Sequence, residues 1–289
     1  MDTINLSTTT TRAVAVDLSN AAAQVVNAGL TLTLSSGSTM EHVIGGALND
    51  TLTGNSLNNT LTGGAGNDTY VFDTDLALGS DTINEAGGGI DTLDFSGTTT
   101  RNLNVDLSNA AAQVVNAGLT LTLSSATTLE NIIGGALNDT LIGNTLANVL
   151  AGGAGNDTLV GGGGKNVLIG GNGADTLTGG TSEDLMIGAR FTSETNAAAL
   201  TALLTEWASA NSYANRVAHL SGTLSGGLNG STLLTSTTFK EDASVDALTG
   251  GTGKDWYLRN SLGATVINRD TTTNTDLIGL DTTLAPVLR

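Results

Sequence analysis

Large apolar side chains return every nine residues through the middle of this chain. Leu141, Leu150, Leu159, Leu168 and Leu177 each sit at the centre of a three-residue segment flanked by Thr, Val, Ala or Ile. The six residues between successive segments are small and polar, rich in Gly, Asn and Asp. In a strand the middle side chain faces one way and its neighbours the other. The pattern therefore predicts a ladder in which these leucines, with Leu52 and Leu61 earlier in the chain, stack inside, while Thr51, Thr140, Thr158 and Thr176 face solvent. Strands this short are stable only as rungs of a stack. The predicted fold is all-β, a parallel β-roll or β-helix solenoid.

A longer repetition lies over the short one. The stretch from Val16 to Ser36 returns from Val105 to Ser125, an offset of 89 residues taken at Asp17 and Asp106. Short apolar strands are expected around 14–18, 24–26, 30–34 and 40–44, as wider coils continuing onto the roll. After Ile187 the period changes: Leu200, Leu203, Leu204 and Trp207 fall at i, i+3, i+4 and i+7, which predicts an amphipathic helix from Glu194 to about Ser209, capped by Thr192 or Ser193. Tyr213, Val217 and Leu220 continue a second helical stripe. These helices are expected to dock on the open end of the roll and cover its strand edges. The chain thus divides into a first solenoid unit (1–97), its duplicate (98–190), a helical cap (191–221) and a C-terminal β region (222–289).

The polar residues of the short repeat carry its chemistry. Six units start at Gly134, Gly143, Gly152, Gly161, Gly170 and Gly179; three more occupy Gly45 to Val71, and a separate one runs from Gly250 to Leu258. At their cleanest they read Gly-Gly-x-Gly-x-Asp-x-Leu-x, as at 152–160 and 170–178. Paired glycines admit positive φ, so six residues can curl into a loop with converging carbonyls. If each unit is half a turn, loops 18 residues apart lie one strand spacing apart, roughly 4.8 Å. Asp50 then stacks on Asp68, and Asp139, Asp157 and Asp175 form a column. Carboxylates held so close repel unless a cation lies between them, and a flexible oxygen cage suits Ca²⁺ better than Mg²⁺. On the opposite edge the sixth positions are Asn148, Asn166 and Asp184, with Asn59 in the first block. Strong sites are expected on the Asp139/Asp157/Asp175 edge and weak or absent ones opposite, where Lys165 further opposes a cation. Asp184 is the carboxylate remaining there.

In this run of units the chain resembles the RTX family, the hemolysin-type calcium-binding nonapeptide-repeat proteins among bacterial exoproteins. The resemblance implies several Ca²⁺ ions bound in a β-roll. Between Asp157 and Asp175 it implies carbonyl ligands from Gly153 and Gly155 in one loop and Gly170 and Asn172 in the next. Leu48 and Leu137 stand where a second-half glycine belongs, so the sites of those leading units are expected to be distorted. The resemblance also implies export by a type I secretion system and a secreted, extracellular location. Met1-Asp2-Thr3-Ile4 shows neither the basic region nor the apolar stretch of a secretory signal peptide.

Composition narrows the remaining classes. A formal net charge of −17 argues against nucleic acid and anionic membranes as partners. No apolar run of about 18 residues exists to insert in a membrane. Without cysteine, metal or stacking must hold an extracellular fold. His42 and His219 belong to no zinc motif. Gly253-Lys254 imitates a phosphate loop, but Leu248 stands where glycine is needed and Asp255 where Ser or Thr would hold Mg²⁺. An enzyme is not expected. The favoured reading is a calcium-binding structural or secretion module, disordered at low calcium and folded outside the cell. The alternatives are an adhesin-like module with a cell-surface or glycan partner, and the C-terminal part of a secreted hydrolase whose catalytic domain is absent here. In the connecting coil 72–97, Asp73, Asp75, Asp81, Glu85, Asp91 and Asp94 are read either as extra calcium ligands or as a solvated surface.

Overall fold

The computed structural model describes residues 1–235, 237–240, 242 and 244–258, together with the backbone of 259, 265–267, 277–280 and 283–288. The part of the expected C-terminal region lying between these strands falls outside the described residues.

Among the described residues the chain winds between one 11-stranded sheet and one or other of two six-stranded sheets, with parallel pairing wherever coil stacks on coil. Successive coils align their central residues. Val16, Leu52, Tyr70, Leu93, Ile132, Leu150, Leu168, Met186 and Tyr257 stand in register along the long sheet, and Val105, Leu141, Leu159, Leu177 and Leu248 along a six-stranded one. All are buried, and together they form the inner core. The flanking Thr51, Thr158 and Thr176 are exposed as expected, and Thr140 is half-buried. Each stacked leucine withdraws a whole side chain from water, worth roughly 2 kcal/mol; repetition, not a large globular core, supplies the stability.

The two 89-residue copies lie half a turn out of phase. Thr51–Thr53 belongs to the 11-stranded sheet but its counterpart Thr140–Ile142 to a six-stranded one, and His42–Ile44 and Asn131–Ile133 are exchanged in the opposite sense. An odd number of half-coils separates the copies, so equivalent loops fall on opposite edges. Context also changes the fate of identical residues. Leu30 is 38% exposed, whereas its counterpart Leu119 is 2% exposed, because Leu119–Leu123 pairs with Gly79–Ile83 and Leu30–Leu32 pairs only with its own hairpin partner Gln24–Asn27.

Two helices form where the apolar stripe placed them, α1 at Ala197–Trp207 and α2 at Tyr213–Leu220. The start of α1 is later than expected: Asn196 caps it, accepting from the Ala199 N–H at 3.1 Å, while Glu194 is held by Arg190 and the Phe191 N–H. The helices cover the flank of the roll and not, as expected, its open end. Leu200, Leu203, Leu204 and Trp207 pack on Ile133, Val149, Ala151, Val167, Ile169, Leu185 and Ile187, the outward side chains of the long sheet. The sequence explains why: Val149-Leu150-Ala151, Val167-Leu168-Ile169 and Leu185-Met186-Ile187 are apolar on both faces, and such a sheet needs a second cover. The described residues between 188 and 246 therefore form an excursion from the solenoid. The roll resumes beyond it, with Ala247–Gly251 paired to Thr176–Gly180 and Trp256–Arg259 to Leu185–Ile187. The unit at 250–258, isolated in sequence, is the next rung in space.

Candidate metal centre

Each loop ends on a side chain that faces the loop of the neighbouring coil. The backbone N–H groups of Leu103, Asp139, Asp157 and Asp175 donate to Oδ1 of Asp139, Asp157, Asp175 and Asp246 at 2.8, 2.8, 2.8 and 3.0 Å. A second column, beside the long sheet, runs Val14 to Asp50, Asp50 to Asp68, and Asp68 to Asp91, each at 2.7 Å, then Asp91 to Glu130 Oε2 at 2.9 Å. The predicted stacks of Asp50 on Asp68 and of Asp139, Asp157 and Asp175 are thus present. Asp246 and Asp91 extend them beyond the positions that the nine-residue spacing predicts. Asp246 is hidden by its separation of 71 residues from Asp175, and Asp91 by an irregular spacing of 23 residues from Asp68.

One oxygen of each carboxylate is therefore structural; the other sorts the loops into two kinds. In the loops with leucine at the fourth place (Leu48, Leu57, Leu137 and Leu146) the N–H of the second residue turns onto the sixth side chain: Gly46 onto Asp50 Oδ2, Asn55 onto Asn59 at 2.7 Å, Gly135 onto Asp139 Oδ2 at 2.8 Å and Asn144 onto Asn148 at 2.8 Å. Where the fourth place is glycine, both the second and the fourth residues take positive φ, as at Gly64 and Gly66, Gly153 and Gly155, and Gly171 and Gly173. Asp68, Asp157 and Asp175 then keep Oδ2 buried with no hydrogen-bond partner, and so do Asp184, Asp246, Asp81 and Asp91. An orphaned buried carboxylate oxygen is costly unless something else occupies it.

What lies beside these oxygens fits a hard cation. A Cβ built on Gly152 would collide with Asp157 Oδ2 and Gly170 O together, so the glycine keeps open a hollow in which a carboxylate and a main-chain carbonyl converge. The other carbonyls implied by the resemblance lie nearby in different settings: Gly153 O and Gly155 O abut Gly171 and Gly173, and Asn172 O accepts from the Gly155 N–H at 2.9 Å. At Gly161 the same hollow is met by Asn166 Nδ2, a donor. Lys165 donates to Ser209 O and stands 3.9 Å from Glu183. Asp184 continues this edge, accepting from Asn166 at 2.8 Å.

Burial pushes the carboxyls upward: Asp139 to about 6, Asp68 and Asp157 to about 7, and Asp175 and Asp184 to about 8. Neighbouring carboxylates add to the rise at Asp68, Asp157, Asp175 and Asp184. The connecting coil divides. Asp73 is exposed and Asp75 and Asp94 are partly so, binding nearby N–H and hydroxyl groups, whereas Asp81, Glu85 and Asp91 are buried. The histidines lie apart: His42 is a strand residue, and His219 Nδ1 meets Glu206 at 2.7 Å beneath α2. No described helix is long and apolar enough to cross a membrane.

No curated protein matches the chain. The family model of the RTX calcium-binding nonapeptide repeat (4 copies) matches residues 44–75, 133–168 and 160–191, which contain the columns of Asp50 and Asp68 and of Asp139, Asp157 and Asp175. These segments of the chain are RTX calcium-binding nonapeptide repeats.

Proposed function

We propose that this chain is a β-roll that folds on binding several Ca²⁺ ions and serves as a structural and secretion module of a bacterial exoprotein, without catalysis of its own. The observation that carries this reading is the row of buried aspartates whose second oxygen has no partner, which at Asp157 and Asp184 opens on a glycine hollow beside a main-chain carbonyl. Asp157 and Asp175, with Gly170 O, would hold an ion on one edge; Asp68 and Asp184 would contribute on the other. A bound ion supplies the charge that these carboxylates lack. Without it the acidic, glycine-rich chain must either protonate them or remain unfolded. Export through a type I system and an extracellular location follow from the resemblance of the repeat and suit a module that orders only where calcium is plentiful.

A calcium titration followed by far-ultraviolet circular dichroism and calorimetry, with a magnesium control, tests the reading. A cooperative gain in β signal driven by Ca²⁺ and not by Mg²⁺ is expected, over the residual structure left in chelator; a β signal in chelator equal to that in calcium would overturn calcium-dependent folding. Anomalous scattering should place ions along the Asp139/Asp157/Asp175 edge and leave the Asn148 and Asn166 positions empty. Equal occupancy along both edges would refute that assignment.

A second reading, a surface-binding module, is favoured by a groove of about 420 Å³ between α1 and the outer face of the long sheet, lined among others by Thr51, Thr69, Thr92, Asn67 and Thr201. Such hydroxyls and amides suit a glycan. Binding of the calcium-loaded chain to a glycan array, abolished by Thr69→Val, would support it.

A further inference from the structure

The connecting coil brings three buried acids to one point. Ligand oxygens of Asp68, Glu85 and Asp91 all lie within 4.8 Å of one another. Asp68 closes the first run of repeats, whereas Glu85 and Asp91 lie beyond the residues matched by the repeat family. Asp68 is 0% and Asp91 1% exposed, and Oδ2 of each has no hydrogen-bond partner. Glu85 is positioned from two sides: its Oε1 accepts from the Gly87 N–H at 3.0 Å, and its Oε2 accepts from the Tyr70 hydroxyl at 2.5 Å.

The hollow here is built differently from that at Gly152. A Cβ on Gly63 would strike Asp68 Oδ2 and also the Tyr70 hydroxyl, so a phenol stands where the carbonyl of Gly170 stands in the repeat site. Tyr70 reaches it from inside the roll, as a fully buried rung of the ladder, and its hydroxyl accepts from the Gly63 N–H at 2.8 Å. Gly87 and Gly89 press so closely on Gly64 O and Gly66 O that no side chain could replace their hydrogens. The coil is thereby seated directly on the last repeat loop.

We propose that Asp68, Glu85 and Asp91 form a separate cation site, for calcium or an equally hard divalent ion, that clamps the connecting coil onto the end of the first repeat run. Three carboxylates in a dry pocket repel one another strongly, and a divalent ion at their centre turns that repulsion into attraction. The site goes beyond the repeat reading because Glu85 has no counterpart in the nonapeptide.

The test uses the full chain. Glu85→Gln keeps the acceptor for Gly87 and leaves every nonapeptide intact. By equilibrium dialysis with radioactive calcium it should bind one ion fewer per chain than the parent while still gaining β signal in calcium, and residues 86–91 should lose calcium-induced protection from hydrogen exchange. An unchanged ion count with unchanged protection would overturn the site. Tyr70→Phe gives a second measurement that keeps the core packed. Terbium bound at this point is sensitised by the Tyr70 phenol, so the tyrosine-excited terbium emission should fall in the variant, and equal emission would place no ion here. If the parent chain took up no calcium at all, the calcium-folded reading itself would fail; calcium uptake unaffected by Glu85→Gln would remove this site alone.

Discussion

Replacing Asp175 by asparagine should change stability in opposite directions with and without calcium. Asp175 Oδ1 accepts from the Asp157 N–H at 2.8 Å, a bond that an amide oxygen can keep, so the ladder survives. Its Oδ2 has no partner, and burial, reinforced by the charges of Asp157, Asp246 and Asp242, raises the carboxyl from 3.8 to about 8. At pH 7 the ion-free folded protein must hold on Asp175 a proton that the unfolded chain does not, at a cost of about 4 kcal/mol. Desolvation of the amide and residual solvent access reduce the gain from neutralising the site to about 1–2 kcal/mol. The variant should therefore melt higher in chelator, by about 2–4 °C per kcal/mol in a chain of this size. In calcium the sign reverses: an ion at a hundredfold excess over its dissociation constant adds about 2.7 kcal/mol, most of which Asp175→Asn forfeits. Thermal melts by circular dichroism, in chelator and in millimolar calcium, decide the matter. A variant less stable than the parent in chelator, or one gaining as much from calcium, would refute the reasoning.

The same burial fixes the response to pH. Asp68, Asp157, Asp175 and Asp184 are raised in the folded state, so their contribution to the ion-free roll is fully present below about pH 4 and is lost as pH rises through 7 to 8; melts in chelator should fall over that range, while calcium affinity climbs as the protons leave. Leu159→Ala, at a 0% exposed rung, should lower stability by about 2–5 kcal/mol in calcium and in chelator alike, as measured by urea denaturation. Leu137→Gly should free Asp139 from the Gly135 N–H and increase the calcium bound in equilibrium dialysis, at a backbone cost of about 1 kcal/mol; unchanged uptake would mean that the fourth position does not control the site.

Much of the roll was legible because its period is rigid. Leucines nine apart and aspartates 18 apart have few ways to stack, and Leu141, Leu159 and Leu177 align as their spacing required. Legibility ended where the period was broken. Asp246 and the repeat at 250–258 rejoin the solenoid only after a long excursion, and no counting rule spans an insertion of arbitrary length. The half-turn phase between the copies depends on how many half-coils the irregular strands occupy, which their sequence leaves open. The docking face of α1 carries a signal in the strand flanks: the strands centred on Leu150, Leu168 and Met186 have apolar residues on both sides, whereas Leu159 has Thr158 on one side and Leu177 has threonine on both. Glu85 could be read as surface or ligand because burial of an acid in a connecting coil depends on the coils it lands between.

An aspartate at the sixth place of the repeat is thus not enough to make a cation ligand. Asp50 and Asp139 occupy the same place as Asp68 and Asp157 and make the same Oδ1 bond to the neighbouring coil, yet their Oδ2 is occupied by a main-chain N–H. The difference is set two residues earlier. Leucine at the fourth place resists positive φ, and the loop settles with its second N–H turned onto the carboxylate; with glycine there both turns go left-handed, with Ser182 there Gly180 alone does, and in either case the oxygen is left vacant. The first two loops of each run are therefore built to be satisfied without an ion, whereas the glycine loops ending on Asp68, Asp157 and Asp175 are not. Such an order suits a solenoid that begins from a self-sufficient coil and adds ion-dependent coils to it, and it implies that calcium stabilises the 152–184 stack more than it stabilises the loops around Leu48 and Leu137.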